Sequence, residues 1–405
     1  MKWFLNKLII FLVCSMISAF GIMAFVASPN WGFYGHRTIN KKAVFTLPQK
    51  MLKLYKANIN YISDHAVDPD MRRYATKFEA IRHYIDIDQW DTIPFSKLPR
   101  DFNAALLKYG KLVLVNGTDS SEVRMTWDTD TTVTLRVQRS DVVVKQRDLL
   151  NYMRQELWPL YYEEEMKTDV VVAEYWLKKS INAGKYTQIV FIDQFSQHGI
   201  LPYYLEMATN KLTNAFKSKN KADILKNSAD IGHYIADAHV PLHTTTNYNG
   251  QLTDQVGIHA FWESRIPELF ADKEYDYFVG KAEYVTDLQK YFWSIITDSH
   301  AYLDDVLDIE KSLSRTYPSD QQFCFEERLG MNTRVQCKEF AAAYHEAMQG
   351  MVEERMTASI KAVGDIWYTA WINAGSPDLS DLDTAPVEVE KIIIDPNIKT
   401  REHEN

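Results

Sequence analysis

Cysteine is scarce in this chain, and its scarcity excludes one class of metal site. Only three cysteines occur among 405 residues, and Cys14 lies in the N-terminal apolar segment. The other two, Cys324 and Cys337, lack the clustered spacing of a zinc–thiolate site. In an oxidising compartment they can form one disulfide, and two buried free thiols are the other interpretation. Any metal site must therefore use other ligands.

An excess of positive charge is also missing. The chain has 45 Lys and Arg residues against 54 Asp and Glu residues, which gives a formal net charge of −9. This balance excludes a long-range basic field that would attract nucleic acid. A polyanionic substrate would have to be attracted by local charge, such as bound metal ions.

Long apolar runs are absent after the N-terminus. The single run, from Leu8 to Ala27, follows Lys2 and Lys7 and predicts an export signal over residues 1–30. Its length also suits a bilayer, so an uncleaved membrane anchor is the alternative. Both interpretations predict an exported chain, periplasmic or extracellular.

Most of the remaining chain has apolar residues at helical spacing. The helical segments are 37–47, 49–63, 76–86, 200–217, 221–240, 256–270, 282–308 and 338–374. Alternating apolar and polar residues within about 110–145 predict a small β hairpin. We therefore expect an all-α fold, a multi-helix bundle that carries this hairpin in an insertion.

The absence of repeats and low-complexity tracts favours one main domain. We assign residues 31–375 to that domain, with 96–195 as the insertion. Residues 376–405 contain three prolines, many acidic residues and few aromatic ones, so we expect a flexible tail.

One helical segment concentrates residues of metal-binding type. His233 and Asp237 are four residues apart, so both side chains project from one face of a helix and can hold one ion. Pro241 then ends the helix and allows His243 to turn toward a second ion. The alternative for His233 and Asp237 alone is a buried hydrogen-bonded pair. Because the chain has only 11 histidines, so dense a cluster favours metal binding.

A second pair, His259 and Glu263, is again four residues apart. On its own such a pair usually lies on a helix surface. Together with His243 it would complete a His₂Glu site, whose nitrogen and oxygen ligands suit zinc. That composition leaves a coordination position open for water or substrate.

Further candidate residues lie upstream. Asp68 and His83 can complete the ligand shell that His233 and Asp237 begin. Asp86 follows His83 closely and can contact a substrate or orient a histidine ligand.

The order of these motifs is distinctive. A Trp-Gly-x-x-Gly-His segment runs from Trp31 to His36, and an aspartate, Asp68, is followed fifteen residues later by His83. A His-x-x-x-Asp-x-x-x-Pro-Leu-His helix and a His-x-x-x-acid helix come next. In this order the motifs resemble the superfamily that joins the zinc-dependent phospholipases C with the single-strand-specific zinc nucleases of fungi and plants. The similarity covers nearly all of 31–375.

The resemblance implies a hydrolase of phosphoric esters that works with three zinc ions in a cleft of the bundle. A metal-bound hydroxide would attack phosphorus, and Asp68 would lie beside it as a catalytic residue. No stable protein partner is implied. The implied ligands are Asp68, His83, His233 and Asp237 for the first zinc, His243, His259 and Glu263 for the second, and His36, Asp237 and the amino nitrogen and carbonyl oxygen of Trp31 for the third.

Two departures from the family pattern affect this expectation. Trp31 has a free amine only if processing exposes it, whereas Val26-Ala-Ser28 is the better cleavage site, so the third zinc depends on N-terminal processing. In the nucleases a phosphate-contacting arginine lies three residues after the aspartate. This chain has Met71 there, and Arg72 or Arg73 can substitute.

The resemblance points to two kinds of substrate. The Trp-Gly start and the Asp68–His83 spacing favour a nuclease, and Glu263 in place of aspartate favours a phospholipase. Tyr84 and Asp86 match positions that stack on and hydrogen-bond a base in the nucleases. We therefore expect a nuclease or nucleotidase acting on single-stranded nucleic acid or nucleotides. A phospholipase C acting on phosphatidylcholine-like lipids is the second hypothesis, and a catalytically silent zinc-binding protein is the third.

Overall fold

The computed structural model describes residues 34–127, 129, 131–137, 140–158, 166–169, 186–328, 331–382, 387 and 392. The predicted export segment 1–30 and the predicted ligand Trp31 lie outside these residues, as does most of the predicted tail. Where the tail is described, it packs on the domain: Leu379 is buried, and the indole of Trp371 donates a 3.0 Å hydrogen bond to the carbonyl oxygen of Pro377.

Helices make up the larger part of the described chain. Several are joined by short 3₁₀ or π-helical turns, including Pro241–Thr244 and Phe261–Arg265. The α-helices are α1 (Tyr34–Ala43), α2 (Gln49–Ala57), α3 (Ile59–Asp64), α4 (Asp68–Arg72), α5 (Lys77–Ala80), α6 (Phe102–Tyr109), α7 (Gln146–Tyr152), α8 (Leu201–Ser218), α9 (Lys221–Ala238), α10 (Ile258–Ala260), α11 (Ile266–Glu274), α12 (Leu288–Ala301), α13 (Leu303–Thr316), α14 (Lys338–Ala347) and α15 (Met351–Asn373).

Helix α9 lies at the centre of the bundle and packs on α1, α8 and α15. It begins after Asn220, whose side chain accepts a hydrogen bond from the backbone N–H of Asp223 and so caps the first turn. It ends ahead of Pro241, which cannot donate to a helical carbonyl. Every residue from Ile231 to Ala238 is buried, as expected of a helix surrounded on all sides.

A close approach between α9 and α1 fixes how the central helix sits. Gly232 lies against the amide of Asn40, which donates hydrogen bonds to the carbonyl oxygens of Ile62 (3.3 Å) and Ala229 (3.0 Å). A Cβ atom at position 232 would come within 1.9 Å of the Asn40 Oδ1 atom. Only glycine therefore fits at this crossing, one residue before His233.

Replacing Gly232 with alanine is expected to lower the free energy of unfolding by about 2 kcal/mol, because overpacking outweighs the helix preference of alanine. Urea unfolding of the variant measures the change. Gly280→Ala is the matched control, since nothing lies within 4 Å of a Cβ there. A Gly232→Ala variant as stable as the parent chain would contradict this packing.

The expectation of an all-α fold is wrong, because a six-stranded antiparallel sheet lies beside the bundle. Its strands are β1 (Lys111–Asn116), β2 (Asp119–Trp127), β3 (Thr132–Val137), β4 (Ser140–Lys145), β5 (Met166–Asp169) and β6 (Gln188–Ile192). They are arranged in the order β4-β3-β2-β1-β6-β5. The predicted small hairpin within 110–145 is in fact four strands of this sheet.

Two features of the sheet explain why the sequence predicted only a small hairpin. Tight connections separate β1, β2, β3 and β4, so four short strands resemble one hairpin in the sequence. The neighbour of β1 on its other side is β6, which pairs Leu112 with Phe191 across almost eighty residues of chain. Alternation along one strand does not identify such a distant partner.

A second, two-stranded sheet joins β7 (Phe323–Arg328) to β8 (Met331–Gln336). A disulfide links Cys324, on β7, to Cys337, at the end of the hairpin. Of the two interpretations that the sequence allowed, the structure therefore contains the disulfide. The hairpin also contacts the bundle: Arg265 forms an ion pair with Glu326 at 2.5 Å.

Most buried apolar side chains of the helices and of the larger sheet belong to one hydrophobic cluster. It extends from Val363 on α15 to Leu112 on β1 and Leu135 on β3, so the insertion packs on the bundle through a shared core. Among the described residues, no helix combines the length and the apolar character needed to cross a membrane.

Candidate metal centre

Eight potential metal ligands from six segments meet near the C-terminal end of α9. Each comes from an element whose position the bundle fixes. His36 lies on α1, Asp70 on α4, His83 after α5, His233 and Asp237 on α9, His243 in the turn Pro241–Thr244, and His259 and Glu263 in the helical segment that begins with α10.

The first group consists of His83, His233 and Asp237. Asp237 Oδ2 lies 2.9 Å from His83 Nδ1 and 3.2 Å from His233 Nε2, and the two imidazole nitrogens are 3.0 Å apart. All three side chains are at least 99% buried. The i, i+4 spacing of His233 and Asp237 on α9 brings them together as the sequence predicted.

The second group consists of His243, His259 and Glu263. Glu263 Oε2 lies 2.8 Å from His259 Nε2 and 3.4 Å from His243 Nε2. This is the His₂Glu combination that the sequence suggested. All three ligand atoms lie within 4.8 Å of one another, a spacing that one ion can span.

The two groups are joined through His36 and Asp237. His36 Nε2 lies 3.2 Å from Glu263 Oε1 and 3.6 Å from Asp237 Oδ1. Asp237 Oδ1 is also 4.0 Å from His243 Nε2. Asp237 therefore directs one carboxylate oxygen to the first group and the other to His36 and His243, the arrangement of a bridging ligand. The predicted third set is described only in part, because Trp31 lies outside the described residues.

Backbone hydrogen bonds fix the orientation of three imidazoles. The Nδ1 atoms of His233, His243 and His259 lie 2.8, 2.5 and 2.9 Å from the carbonyl oxygens of Ala66, His83 and Tyr248. A carbonyl oxygen only accepts hydrogen bonds, so each Nδ1 carries the proton and each Nε2 keeps a lone pair. The three lone pairs point into the cluster, which is the arrangement that metal-binding histidines adopt.

Burial and mutual charge perturb the acidic groups of the centre. Burial raises the pKa of Asp237 to about 7, although His243 and His36 oppose the shift. Burial would also raise the pKa of Glu263, but the neighbouring imidazoles of His243, His259 and His36 hold it well below its usual range. Carboxylates and lone pairs packed so closely repel one another unless a cation lies between them.

The donor set therefore fits metal ions. Buried imidazole nitrogens and carboxylate oxygens are ligands of zinc and of related first-row ions. The Nδ1–carbonyl hydrogen bonds supply the supporting contacts that such ligands normally have. Together the groups can hold a metal ion, as the sequence suggested.

The ligand predicted at Asp68 is placed differently in the structure. Asp68 Oδ2 pairs with His65 Nδ1 at 2.8 Å, away from the described ligand groups. Asp70 occupies the expected place, with its Oδ1 atom 3.7 Å from both His83 and His233. Residues two apart on a helix project in different directions, so α4 presents only one of the two aspartates to the cluster.

The structure also favours a different arginine for contact with substrate. Arg72 is held by Asp230 at 2.9 Å and by Glu79 at 3.6 Å, and neither of these acids belongs to the ligand groups. Arg73 instead pairs with Asp70 at 3.2 Å, and it lies three residues after that aspartate. Counted from Asp70, an arginine does lie three residues after the aspartate, although the spacing from that aspartate to His83 is then thirteen residues instead of fifteen. Burial would raise the pKa of Asp70, but His233 and Arg73 lower it.

Replacing Asp70 with asparagine is expected to weaken Zn²⁺ binding by about 10- to 100-fold, since a charge beside His83 and His233 is lost. The matched Asp68→Asn variant should retain the affinity of the parent chain. Competition with a fluorescent zinc chelator measures both. A loss of Zn²⁺ affinity in Asp68→Asn, with none in Asp70→Asn, would indicate that Asp68 is the ligand.

The two predicted base-contacting residues are less open than a stacking platform requires. Tyr84 is 5% exposed, and its hydroxyl donates to the carbonyl oxygen of Gln197 at 3.1 Å. Asp86 is buried and accepts from His198 Nδ1 at 3.3 Å. The ring of Trp90 meets His198 edge-on, 5.1 Å between centroids, so a half-buried indole lies beside this polar pair.

Asp88, for which the sequence favoured a solvated helix end over orientation of a histidine ligand, supports the second group. Asp88 accepts hydrogen bonds from the Thr245 hydroxyl at 2.6 Å and from the Thr246 backbone N–H at 3.1 Å. These threonines lie two and three residues after His243, so Asp88 fixes the chain close to that ligand. One aspartate in a turn does not reveal this role in the sequence, because only the fold brings positions 88 and 245 together.

Comparisons with known proteins do not assign the chain to a family. No family model, curated protein or solved structure matches it. Function must therefore be inferred from the motifs and from the geometry of the described residues.

Proposed function

We propose that this chain is a metal-dependent hydrolase of phosphoric esters. The observation that carries the proposal is the convergence of the first and second groups on one carboxylate, Asp237, with His36 beside it. Several cations held a few ångströms apart are the arrangement that enzymes use to displace a group at phosphorus.

Zinc is the ion that best suits these ligands, and the motifs imply three ions. Bound there, divalent ions would polarise phosphoryl oxygens and lower the pKa of water to near neutrality. The first group with Asp70 would hold one ion and the second group another. His36 and Asp237 would hold the third together with Trp31, if processing exposes its amine.

The chain itself would position the reacting groups. Asp70, beside His83 and His233, can accept a proton from an attacking water and orient it, the role first assigned to Asp68. Arg73 can donate hydrogen bonds to phosphoryl oxygens while it stays paired with Asp70. No serine, cysteine or lysine nucleophile is needed for this chemistry.

Among substrates we favour single-stranded nucleic acid or nucleotides. Asp86, three residues after His83, forms a polar and aromatic patch with His198 and Trp90. The partly exposed side chain of His198 can form a hydrogen bond with a base edge, and Trp90 can supply a ring surface. Trp90 would take over the stacking role for which Tyr84 is too deeply buried.

A phospholipase C remains the second candidate because of one surface feature. The loop between His243 and His259 exposes two apolar side chains, Leu252 at 69% and Val256 at 63%. Apolar side chains that flank a phosphoryl site favour contact with a lipid. A zinc-binding protein without catalytic activity is the third candidate.

Parallel assays on the purified chain distinguish the three candidates. Release of acid-soluble nucleotides from single-stranded DNA and RNA is measured beside release of diacylglycerol from phosphatidylcholine vesicles. Each assay is repeated after chelation and after return of Zn²⁺. We expect nucleotide release that is lost and regained with zinc. Diacylglycerol release alone would favour the phospholipase, and inactivity on every substrate with zinc bound would overturn the hydrolase proposal.

A further inference from the structure

A buried glutamate that is not a metal ligand connects three ligand-bearing segments. Glu79, on α5, is 1% exposed. Its Oε2 atom accepts from Arg82 Nη1 at 2.5 Å, and its Oε1 atom accepts from the Tyr234 hydroxyl. Arg72 Nη2 approaches the same carboxylate to 3.6 Å. Glu79 therefore contacts side chains from α4, from the turn after α5 and from α9.

Each partner of Glu79 lies within two residues of a ligand. The three ligands concerned surround the ion proposed for the first group. Arg72 follows Asp70 by two residues, Arg82 directly precedes His83, and Tyr234 directly follows His233.

A second carboxylate completes this arrangement. Asp230 lies one turn before His233 on α9 and pairs with Arg72 at 2.9 Å. Two guanidinium groups and two carboxylates thus balance one another in a largely buried setting. In such a setting the loss of one partner leaves the others uncompensated, so the segments are expected to shift.

We propose that Glu79 is a positioning residue that sets the spacing of Asp70, His83 and His233 and thereby the Zn²⁺ affinity of the first group. The inference rests on the proposed metal centre but not on hydrolysis. Supporting residues of this kind commonly change metal affinity by about 10- to 100-fold. Asp88 has the corresponding place beside the second group, where it holds Thr245 and Thr246.

The effects of Glu79 and Asp88 can be measured separately, because Glu79 lies beside ligands of the first group and Asp88 lies beside a ligand of the second. Zn²⁺ binding is measured by competition with a fluorescent chelator in two backgrounds of the full chain. His243→Ala with His259→Ala leaves the first group as the intact site, and His83→Ala with His233→Ala leaves the second.

In the first background, Glu79→Gln is expected to raise the Kd for Zn²⁺ by about 10- to 100-fold. In the second background the same substitution should leave the Kd unchanged. Asp88→Ala should do the reverse, with a smaller effect because Asp88 is exposed. Glu79→Asp keeps the charge and is expected to recover part of the lost affinity. A general folding defect would raise the Kd for Zn²⁺ of both groups.

An unchanged Kd for the first group in Glu79→Gln would overturn the proposal, as would an equal loss at both groups. Should Glu79→Gln fail to fold, Tyr234→Phe decides the matter, because it removes only the hydroxyl that reaches Glu79. A higher Kd for Zn²⁺ at the first group of Tyr234→Phe supports the proposal, and an unchanged Kd contradicts it. A chain that binds zinc in this way but cleaves no ester would refute the proposed function alone.

Discussion

Replacing Asp237 with asparagine is expected to reduce hydrolysis by at least about a thousandfold. The substitution removes the one carboxylate that faces both groups: Oδ2 lies 2.9 Å from His83, and Oδ1 lies 3.6 Å from His36. An amide keeps one oxygen acceptor but neither the charge nor the second oxygen. Metal ions contribute several kcal/mol to such reactions, and about 4 kcal/mol corresponds to a thousandfold change in rate.

The measurement is kcat/KM on the best substrate found, together with the zinc content of the purified variant. Asp365→Asn is the control, because Asp365 is also a buried aspartate but pairs with Lys361 at 2.6 Å on α15. That variant should lose some stability yet keep its zinc. An Asp237→Asn chain with full zinc content and full activity would refute the bridging role.

Removal of metal is expected to lower thermal stability strongly. Without cations, the buried carboxylate of Asp237 and the partly buried carboxylates of Asp70 and Glu263 lie among five imidazoles. Binding at 1,000 times the Kd stabilises a fold by about 4 kcal/mol per ion. A loss of that size corresponds to a fall in Tm on the order of 10 °C.

Differential scanning calorimetry before and after dialysis against a chelator measures this effect. Zn²⁺ should restore the original Tm. Mg²⁺ should not, because it prefers oxygen ligands in an octahedral arrangement. Asp237→Asn should show a smaller fall on chelation than the parent chain. An identical Tm with and without chelator would mean that the cluster binds no metal of structural importance.

Sequence spacing predicted the part of the centre that depends on single helices. His233 with Asp237, and His259 with Glu263, are each four residues apart, and helical geometry alone brings the members of such pairs together. Pro241 predicted the helix end that turns His243 toward the second group. These predictions needed no knowledge of the rest of the fold.

Sequence spacing did not identify which of two nearby aspartates faces the cluster. Asp68 and Asp70 both precede His83, and the family spacing of fifteen residues favoured Asp68. The short helix α4 turns Asp70 toward the cluster and leaves Asp68 to pair with His65. The rotation of a five-residue helix depends on its tertiary contacts, here those of Arg72 and Arg73, and local sequence does not specify it.

The pairing of strands in the larger sheet also depends on tertiary contacts that local sequence does not specify. Alternation in β1 and β3 was visible, but the pairing of β1 with β6 depends on a contact between distant segments. The Glu79 contacts are invisible in the sequence for the same reason. A lone glutamate in a short helix is usually solvated, and only the packing of α4, α5 and α9 buries it.

Anomalous X-ray diffraction at the zinc edge would show whether the eight candidate ligands around Asp237 hold a cluster of metal ions. Crystals of the zinc-loaded chain should show separate anomalous peaks about 2.0–2.2 Å from the ligand atoms of both groups. One peak should lie beside the Asp237 Oδ2 atom and another beside the Nε2 atoms of His243 and His259. The absence of anomalous density at either group in zinc-loaded crystals would contradict the account.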